Sequence, residues 1–535
     1  MKLPELSASA TPQFVDAASC KAWLDSVPLA NVAAAQQDLL AELEVFNGFP
    51  TAAANRLAVL ETLREAVNFV QVEQAKRFMN RALPMAQAES AAFQDTTELW
   101  EQVRVGYLRC LEAAVGGDSA MRAQAALLTQ RLGAYSGLKM FHYYRAYREV
   151  PPRDWRSLHE VYAHAERLGV TEEVVKDFLN RDIQDSSPRI AYARAVLMGM
   201  CSPHELSQRQ LTFVAFLLER WASKLEVSGK PVPEAEGVPP LLADLSGERC
   251  PERLAPGARN AADPRYLDTR KLAKSLRNRV GLLRKGESPA KLALGEDCVQ
   301  PSCEQTLVFL FRQWCQAKPA QAHRRGAAET AQVCNDLEAI HHSLSGGTKR
   351  RQVEQKEMTQ KQREELETLG RIRTTVDEEP GGVRGSALED WKIVEDSAQG
   401  LELVRPKDAG GKRYAHGQLV LVRPSDAAGF ILGLVRWLMG ANNGDLHAGV
   451  RLMPGIPTPT SVRGIGLNEK NERPVSALAL GPVPALQSPA TLVVPTGWFK
   501  PKRVLEIQGE KPATVRLTEV IERGVDFERV AYESA

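Results

Sequence analysis

The chain has 535 residues, 44% of them hydrophobic and 25% charged, proportions that exclude wholesale disorder and a single hydrophobic core, so about two to four domains are expected. Its 68 basic and 66 acidic side chains leave a formal net charge of +2, which excludes a global attraction to nucleic acid or to an anionic membrane. The start, Met1 to Ser7, lacks the apolar run of a secretory signal, and no window approaches the roughly 18 consecutive apolar residues that cross a bilayer. The eight cysteines form no CxxC pair; they are expected to be reduced, mostly structural thiols in a cytoplasmic protein.

From about residue 12 to 225 the apolar spacing is helical. Leu57, Leu60, Leu63, Val67 and Val70 recur at three- and four-residue steps, and Trp100, Val103, Tyr107, Cys110 and Val115 broadly repeat the stripe. Asn47-Gly48 and Gly116-Gly117 read as helix stops, and Ser136-Gly137 as a break between Leu132 and Met140. Residues 1–227 are therefore expected to form an all-α domain, a helical bundle or short solenoid of about eight to ten helices. Residues 228–264 hold seven prolines and read as a flexible linker. A helical connector, 265–318, follows, with segments Tyr266–Lys285 and Glu304–Gln316. Then comes a region from 319 to 470, with Val333–Ile340 expected as a strand and a charged insertion at about 345–388. Within that insertion, Lys349–Arg373 reads as an exposed helix laced with i,i+4 charge pairs.

After Trp391 the period becomes two. Trp391–Val394, Leu401–Val404, Gln418–Arg423, Ile431–Trp437 and Leu446–Leu452 read as strands separated by Gly-, Asn-, Pro- and Asp-rich turns. Thr491–Val494, Val504–Ile507 and Thr514–Leu517 extend the pattern into 471–535, a β extension or small lobe. The expected class is α+β multidomain: a helical N-terminal half and an antiparallel β-barrel in the C-terminal half.

Motifs for catalysis fail on spacing. His159 and His164 are five residues apart, about 140° around a helix, whereas a zinc-protease helix needs four. Trp155, Leu158 and Tyr162 resemble the first helix of a tetratricopeptide repeat, but no second copy follows at a 34-residue period. His341 and His342, placed on a strand, would point to opposite faces. Walker, GxGxxG and GxSxG motifs are absent. No catalytic residue, metal ligand or cofactor is expected, and the chain reads as a non-enzyme. The basic segment 270–285 could meet phosphates but lacks interleaved aromatics for base stacking.

One constellation remains. His323-Arg324-Arg325 precedes the first expected strand, and Glu395-x-Ser397-x-x-Gly400 turns between the next two. The segments Leu432–Trp437 and Ala448–Leu452 follow in order. This arrangement resembles a PilZ domain over residues 320 to about 460. The resemblance implies a six-stranded barrel and cyclic di-GMP as ligand. It assigns Arg324 and Arg325 to phosphate and guanine contacts, and Glu395, Ser397 and Gly400 to the close-approach turn. Two departures stand out: Glu395 replaces the family's Asp or Asn, and the second arginine of the RxxxR pair is missing, with Glu329 four residues after Arg325 and Ala328 four after Arg324. A carboxylate about 5 Å from a phosphate opposes binding by roughly 3 kcal/mol at an effective dielectric of 20. The expected protein is a bacterial-type regulator: a PilZ-like sensor or adaptor with a partner-binding helical half. The alternatives are a ligand-free interaction scaffold or chaperone-like adaptor, and a nucleic-acid binder using 270–285.

Overall fold

The computed structural model describes residues 3–235, 237–253, 261–296, 298–316, 329–345, 388–397, 400–427, 429–465, 473–508 and 512–535. They fall into two compact units, Met1–Ala322 with Trp437–Leu446, and His323–Arg436 with His447–Ala535.

The first unit opens with α1 (Ala17–Leu24), α2 (Val32–Gly48), α3 (Ala53–Ala75), α4 (Gln87–Val115), the short α5 (Ser119–Arg122), α6 (Ala125–Arg145) and α7 (Pro152–Leu168). A two-stranded ribbon, β1 (Val175–Lys176) and β2 (Asp185–Ser186), leads to α8 (Pro188–Met200) and α9 (Gln208–Trp221). Local chemistry sets the boundaries. Asp16 and Ser19 form a capping box on α1, Asn31 caps α2, and Gly169 ends α7 with φ 75°. The stripe Leu57, Leu60, Leu63, Val67 and Val70 is buried, as its spacing requires. Val115, taken as part of the next stripe, is instead 52% exposed at the end of α4.

Ser136-Gly137 does not break the chain: α6 runs through it. The two glycines of α6 face small residues of α8. A Cβ at Gly133 would lie 3.2 Å from the Ala191 Cβ, and one at Gly137 3.3 Å from the Ala195 Cβ. Close approach of two helices, rather than a stop, is what these glycines provide. The neighbouring Ser136 hydroxyl accepts a hydrogen bond from the buried Arg104 at 2.9 Å.

The proline-rich stretch expected to be a linker carries structure. Strands β3 (Glu226–Ser228), β4 (Leu241–Asp244), β5 (Glu252–Arg253) and β6 (Pro264–Asp268) form a sheet in the order β3-β6-β4-β5. Leu241, Leu242, Ala243 and Leu245 are buried, and Leu241, Ala243 and Leu245 share a core cluster with residues of α8 and α9. Pro239 and Pro240 precede β4, Pro251 precedes β5 and Pro264 begins β6, the positions where a missing N–H breaks no ladder. Helices α10 (Arg270–Arg284) and α11 (Ser302–Cys315) complete the unit. Cys298 and Cys303, expected as thiols, are joined by a disulfide with the Cα atoms 4.9 Å apart.

In the second unit, β7 (Thr330–Asn335) is followed by α12 (Leu337–Leu344), then β8 (Glu389–Ser397), β9 (Gly400–Arg405), β10 (Leu419–Pro424), β11 (Ile431–Gly440) and β12 (Leu446–Leu452). The expected strand over 333–340 thus ends at Asn335. Asp336, at φ 77°, turns the chain and accepts hydrogen bonds from the amides of Glu338 and Ala339 at 3.0 and 3.1 Å. A helical stripe of Leu337, Ile340 and Leu344 then takes over. His341 and His342 therefore sit on a helix, not a strand. The insertion segment expected as an exposed helix, Lys349–Arg373, lies outside the described residues.

The six strands close into a barrel in the order β10-β11-β12-β9-β8-β7. Residues 471–535, expected as a β extension or small lobe, combine with Pro457–Gly464 from the preceding region in a barrel of their own. Strands β13 (Pro457–Gly464), β14 (Val475–Leu480), β15 (Thr491–Pro495), β16 (Val504–Gln508), β17 (Ala513–Arg523) and β18 (Phe527–Ser534) close a second barrel, β13-β14-β15-β18-β17-β16. Leu419, Leu421, Leu432 and Leu434 of the first barrel share one apolar cluster with Ile340 of α12 and with Leu478, Leu480, Val493 and Phe527 of the second.

Candidate functional site

Strands β8 and β9 form a hairpin in which Ser397 pairs with Gly400 and Glu395 with Glu402; a bulge between Ile393 and Glu395 shifts the register. Glu395 is half-buried. At the other end of the turn, space is tight. A Cβ at Gly400 would sit 2.4 Å from the Val450 carbonyl oxygen and 3.4 Å from the Arg451 Cα on β12, and one at Gly433 would sit 2.3 Å from Val450 Cγ1 and 3.2 Å from the Arg451 oxygen. Glycine at 400 is thus dictated by backbone approach within the barrel. Arg324 and Arg325, the other residues that the resemblance assigns, lie outside the described residues. The structure therefore brings Glu395, Ser397 and Gly400 together on one hairpin.

Opposite Glu395, Glu402 lies 3.8 Å from the His447 ring. Two carboxylates across one strand pair oppose an anionic ligand, and a cation is needed nearby to offset them. Sequence reasoning missed the candidate. Arg451 on β12 is ion-paired with Glu522 of β17. Glu522 lies across from Arg529 of β18, whose guanidinium donates to Thr491 Oγ1 and Ser488 Oγ at 3.0 Å each. Burial lowers the Arg529 pKa; Glu522 opposes that effect and the charge of Arg451 adds to it. Glu522 thus ion-pairs with Arg451, whose backbone abuts Gly400, and faces Arg529 across the strand pair. Residues this far apart in the chain carried no local signal.

A second buried charge lies in the same barrel. Arg405 pairs with Glu389 at 2.7 Å and donates to the Lys412 carbonyl at 2.8 Å. Its guanidinium lies 5.4 Å from the centre of the Trp391 ring and 5.6 Å from that of Tyr414.

Elsewhere, the residues of the apparent enzyme motif pack in the core and several basic residues of α10 carry ion pairs. His159 is buried, with one ring nitrogen 2.9 Å from the Tyr192 hydroxyl and the other 2.8 Å from the Arg249 carbonyl, and burial lowers its pKa. Both nitrogens are used in the fold. Trp155, Leu158 and Tyr162 are core residues. On α10, Arg270 pairs with Asp268, Lys271 with Glu226 and Arg284 with Glu304, while Arg279 stacks over Trp221. A cleft of about 390 Å³ in the first unit includes Arg104, Lys139, Glu101 and Asp154, but Lys139 bonds both Glu101 and Asp154, at 2.8 and 2.9 Å. No group of three or more potential metal ligands occurs among the described residues, and none of their helices is long and apolar enough to cross a membrane.

Helical layers followed by two consecutive six-stranded barrels, the first PilZ-like, define a multidomain protein. Two family models match: the N-terminal domain of the cyclic-di-GMP receptor FimW over residues 18–234, and the FimW C-terminal β-barrel domain over residues 460–535. A curated relative, the cyclic-di-GMP receptor FimW of Pseudomonas aeruginosa, is 22% identical over 98% of this chain and 91% of its own length. The chain thus carries both domains that define FimW, at its N-terminal and C-terminal ends. No solved structure matches.

Proposed function

We propose that this chain is a non-enzymatic regulatory protein of the cytoplasm that binds cyclic di-GMP on its first barrel. Arg324 and Arg325 would meet the phosphates, and Glu395, Ser397 and Gly400 the ligand's close edge. The observation that carries the reading is the Glu395-x-Ser397-x-x-Gly400 hairpin in a closed six-stranded barrel. The chain's similarity, nearly end to end, to a protein named as a cyclic-di-GMP receptor supports it. A planar guanidinium pairs with phosphate oxygens through two parallel hydrogen bonds, and a glycine with no Cβ admits a base or phosphate to the strand edge. The helical half would offer the surface for a protein partner.

Calorimetric titration of cyclic di-GMP into the full chain tests this, with Ser397→Ala and Arg325→Ala alongside. Saturable binding at micromolar or lower concentration, weakened in both variants, is the expected result. Absence of heat and of any thermal shift at millimolar ligand would make the protein a ligand-free scaffold that kept the barrel.

A further inference from the structure

On the reading that the first barrel binds cyclic di-GMP, we propose that Arg451 supplies the cation that the motif lacks, and that Glu522 of the second barrel is the resident carboxylate a ligand phosphate displaces.

Three independent features place Arg451 in this role. Its backbone is fixed against the motif turn: Gly400 and Gly433 both abut the Val450–Arg451 segment, where any larger residue would collide with backbone or with Val450. Its side chain is 40% exposed while that of Glu522 is 15% exposed, so the guanidinium remains reachable by a ligand although it is paired. Register shifts in β17 at Leu517/Glu519 and Val520/Glu522 mark irregularities just where Glu522 meets Arg451. A bulge bends its strand locally and re-aims a side chain.

The charge balance favours exchange. Arg529 is held by two hydroxyl acceptors and faces Glu522 across the strand pair, so a second cation lies near the carboxylate that Arg451 engages. A phosphodiester presents the same charge as Glu522 with a geometry that matches the guanidinium fork. Trading Glu522 for phosphate keeps Arg451 neutralised, offsets the Glu395–Glu402 pair, and frees Glu522 on β17. Occupancy of the first barrel would thereby be felt in the second.

The test is calorimetry on the full chain, comparing wild type, Ser397→Ala, Arg451→Ala, Arg451→Lys and Glu522→Gln, with thermal unfolding to confirm that each is folded. Binding is expected to weaken about tenfold or more in Arg451→Ala, and less in Arg451→Lys, which keeps the charge and loses the fork. Glu522→Gln is expected to tighten it about threefold or more by removing the competitor. Should Arg451→Ala fail to fold, tightening in Glu522→Gln still decides the matter. Wild type and Glu522→Gln binding equally, with only Ser397→Ala impaired, would overturn the role of Arg451 and Glu522 while leaving cyclic di-GMP as ligand. Silence in wild type and in every variant would overturn both.

Discussion

The two barrels each close six strands, yet they handle charge in different ways. In the first, a charged group is built into the structure: Arg405, its side chain 4% exposed, is held between Trp391 and Tyr414 and paired with Glu389. The second has an aliphatic cluster of Val462, Leu492, Val494, Leu505, Val515, Leu517 and Val530. It lends carboxylates outward. Glu522 pairs with Arg451, and Asp526 accepts the Leu419 amide at 3.0 Å across the seam between the barrels. A Cβ at Gly524 would lie 2.5 Å from the Gly417 oxygen, so the β17–β18 turn seats directly on the first barrel. The second barrel buries charge as well, with Arg529 5% and Glu528 3% exposed, but there Arg529 is held by two hydroxyls, whereas Arg405 sits among aromatic rings with a carboxylate partner. A buried ion pair depends on both partners being present, so removing either member of the Arg405–Glu389 pair strands the other.

The sharpest way to break this contrast is Arg405→Ala. It leaves Glu389 in a site 15% exposed without its cation, and should destabilise the second unit by about 4 kcal/mol in urea unfolding. Replacing Arg405 by Met and Glu389 by Gln together should recover a substantial part of that loss, because no uncompensated charge remains. A cost no greater than that of a surface substitution would show that the caged charge does not hold the barrel.

Next in size is the second barrel's counterpart. Leu492 is fully buried, and Leu492→Ala should cost about 3 kcal/mol through lost burial and a cavity. No polar double replacement should rescue it.

The smallest effect concerns the seam. Burial raises the Asp526 carboxyl above its ordinary value, and its Oδ2 has no hydrogen-bond partner. A carboxyl with a raised pKa in the folded state contributes stability that is complete below the unfolded pKa and is lost as pH rises through the folded one. Ionised Asp526 is thus a cost at neutral pH. Asp526→Asn, which keeps an oxygen for the Leu419 amide, should raise the melting temperature slightly at pH 7. The gain should shrink as pH is lowered toward about 4. A gain that grew on acidification would reverse the sign and contradict the burial argument.

Much of this architecture was legible in one dimension because it rests on short-range periodicity. The stripe from Leu57 to Val70 and the strand Leu446–Leu452 needed only steps of three to four, or of two. The β8–β9 hairpin was visible as a Ser-Ala-Gln-Gly turn between alternating runs. Other elements were hidden for physical reasons. Strand β13 begins at a proline and alternates threonine with proline, a pattern that looks like a loop until a partner strand pairs with it. Pro239, Pro240 and Pro264 suggested a linker, although proline before or at the start of a strand costs no hydrogen bond. Asp336 ended β7 early through a side-chain cap that apolar spacing does not register.

By itself, then, the sequence determined that helices precede strands, that no enzyme motif has workable spacing, and that one hairpin carries a PilZ-like turn. Each of these depends on neighbours within a few residues, where backbone geometry fixes what can face what. The tertiary structure alone decided that the final strands close a second barrel, that Gly133 and Gly137 join helices instead of ending one, and that Arg451 meets Glu522 beside Gly400. Those facts depend on helix and strand contacts between residues 47 positions apart at Ser461 and Gln508, 58 at Gly133 and Ala191, and 71 at Arg451 and Glu522. Pairing at that range is selected by the packing of the whole unit, which no local pattern encodes.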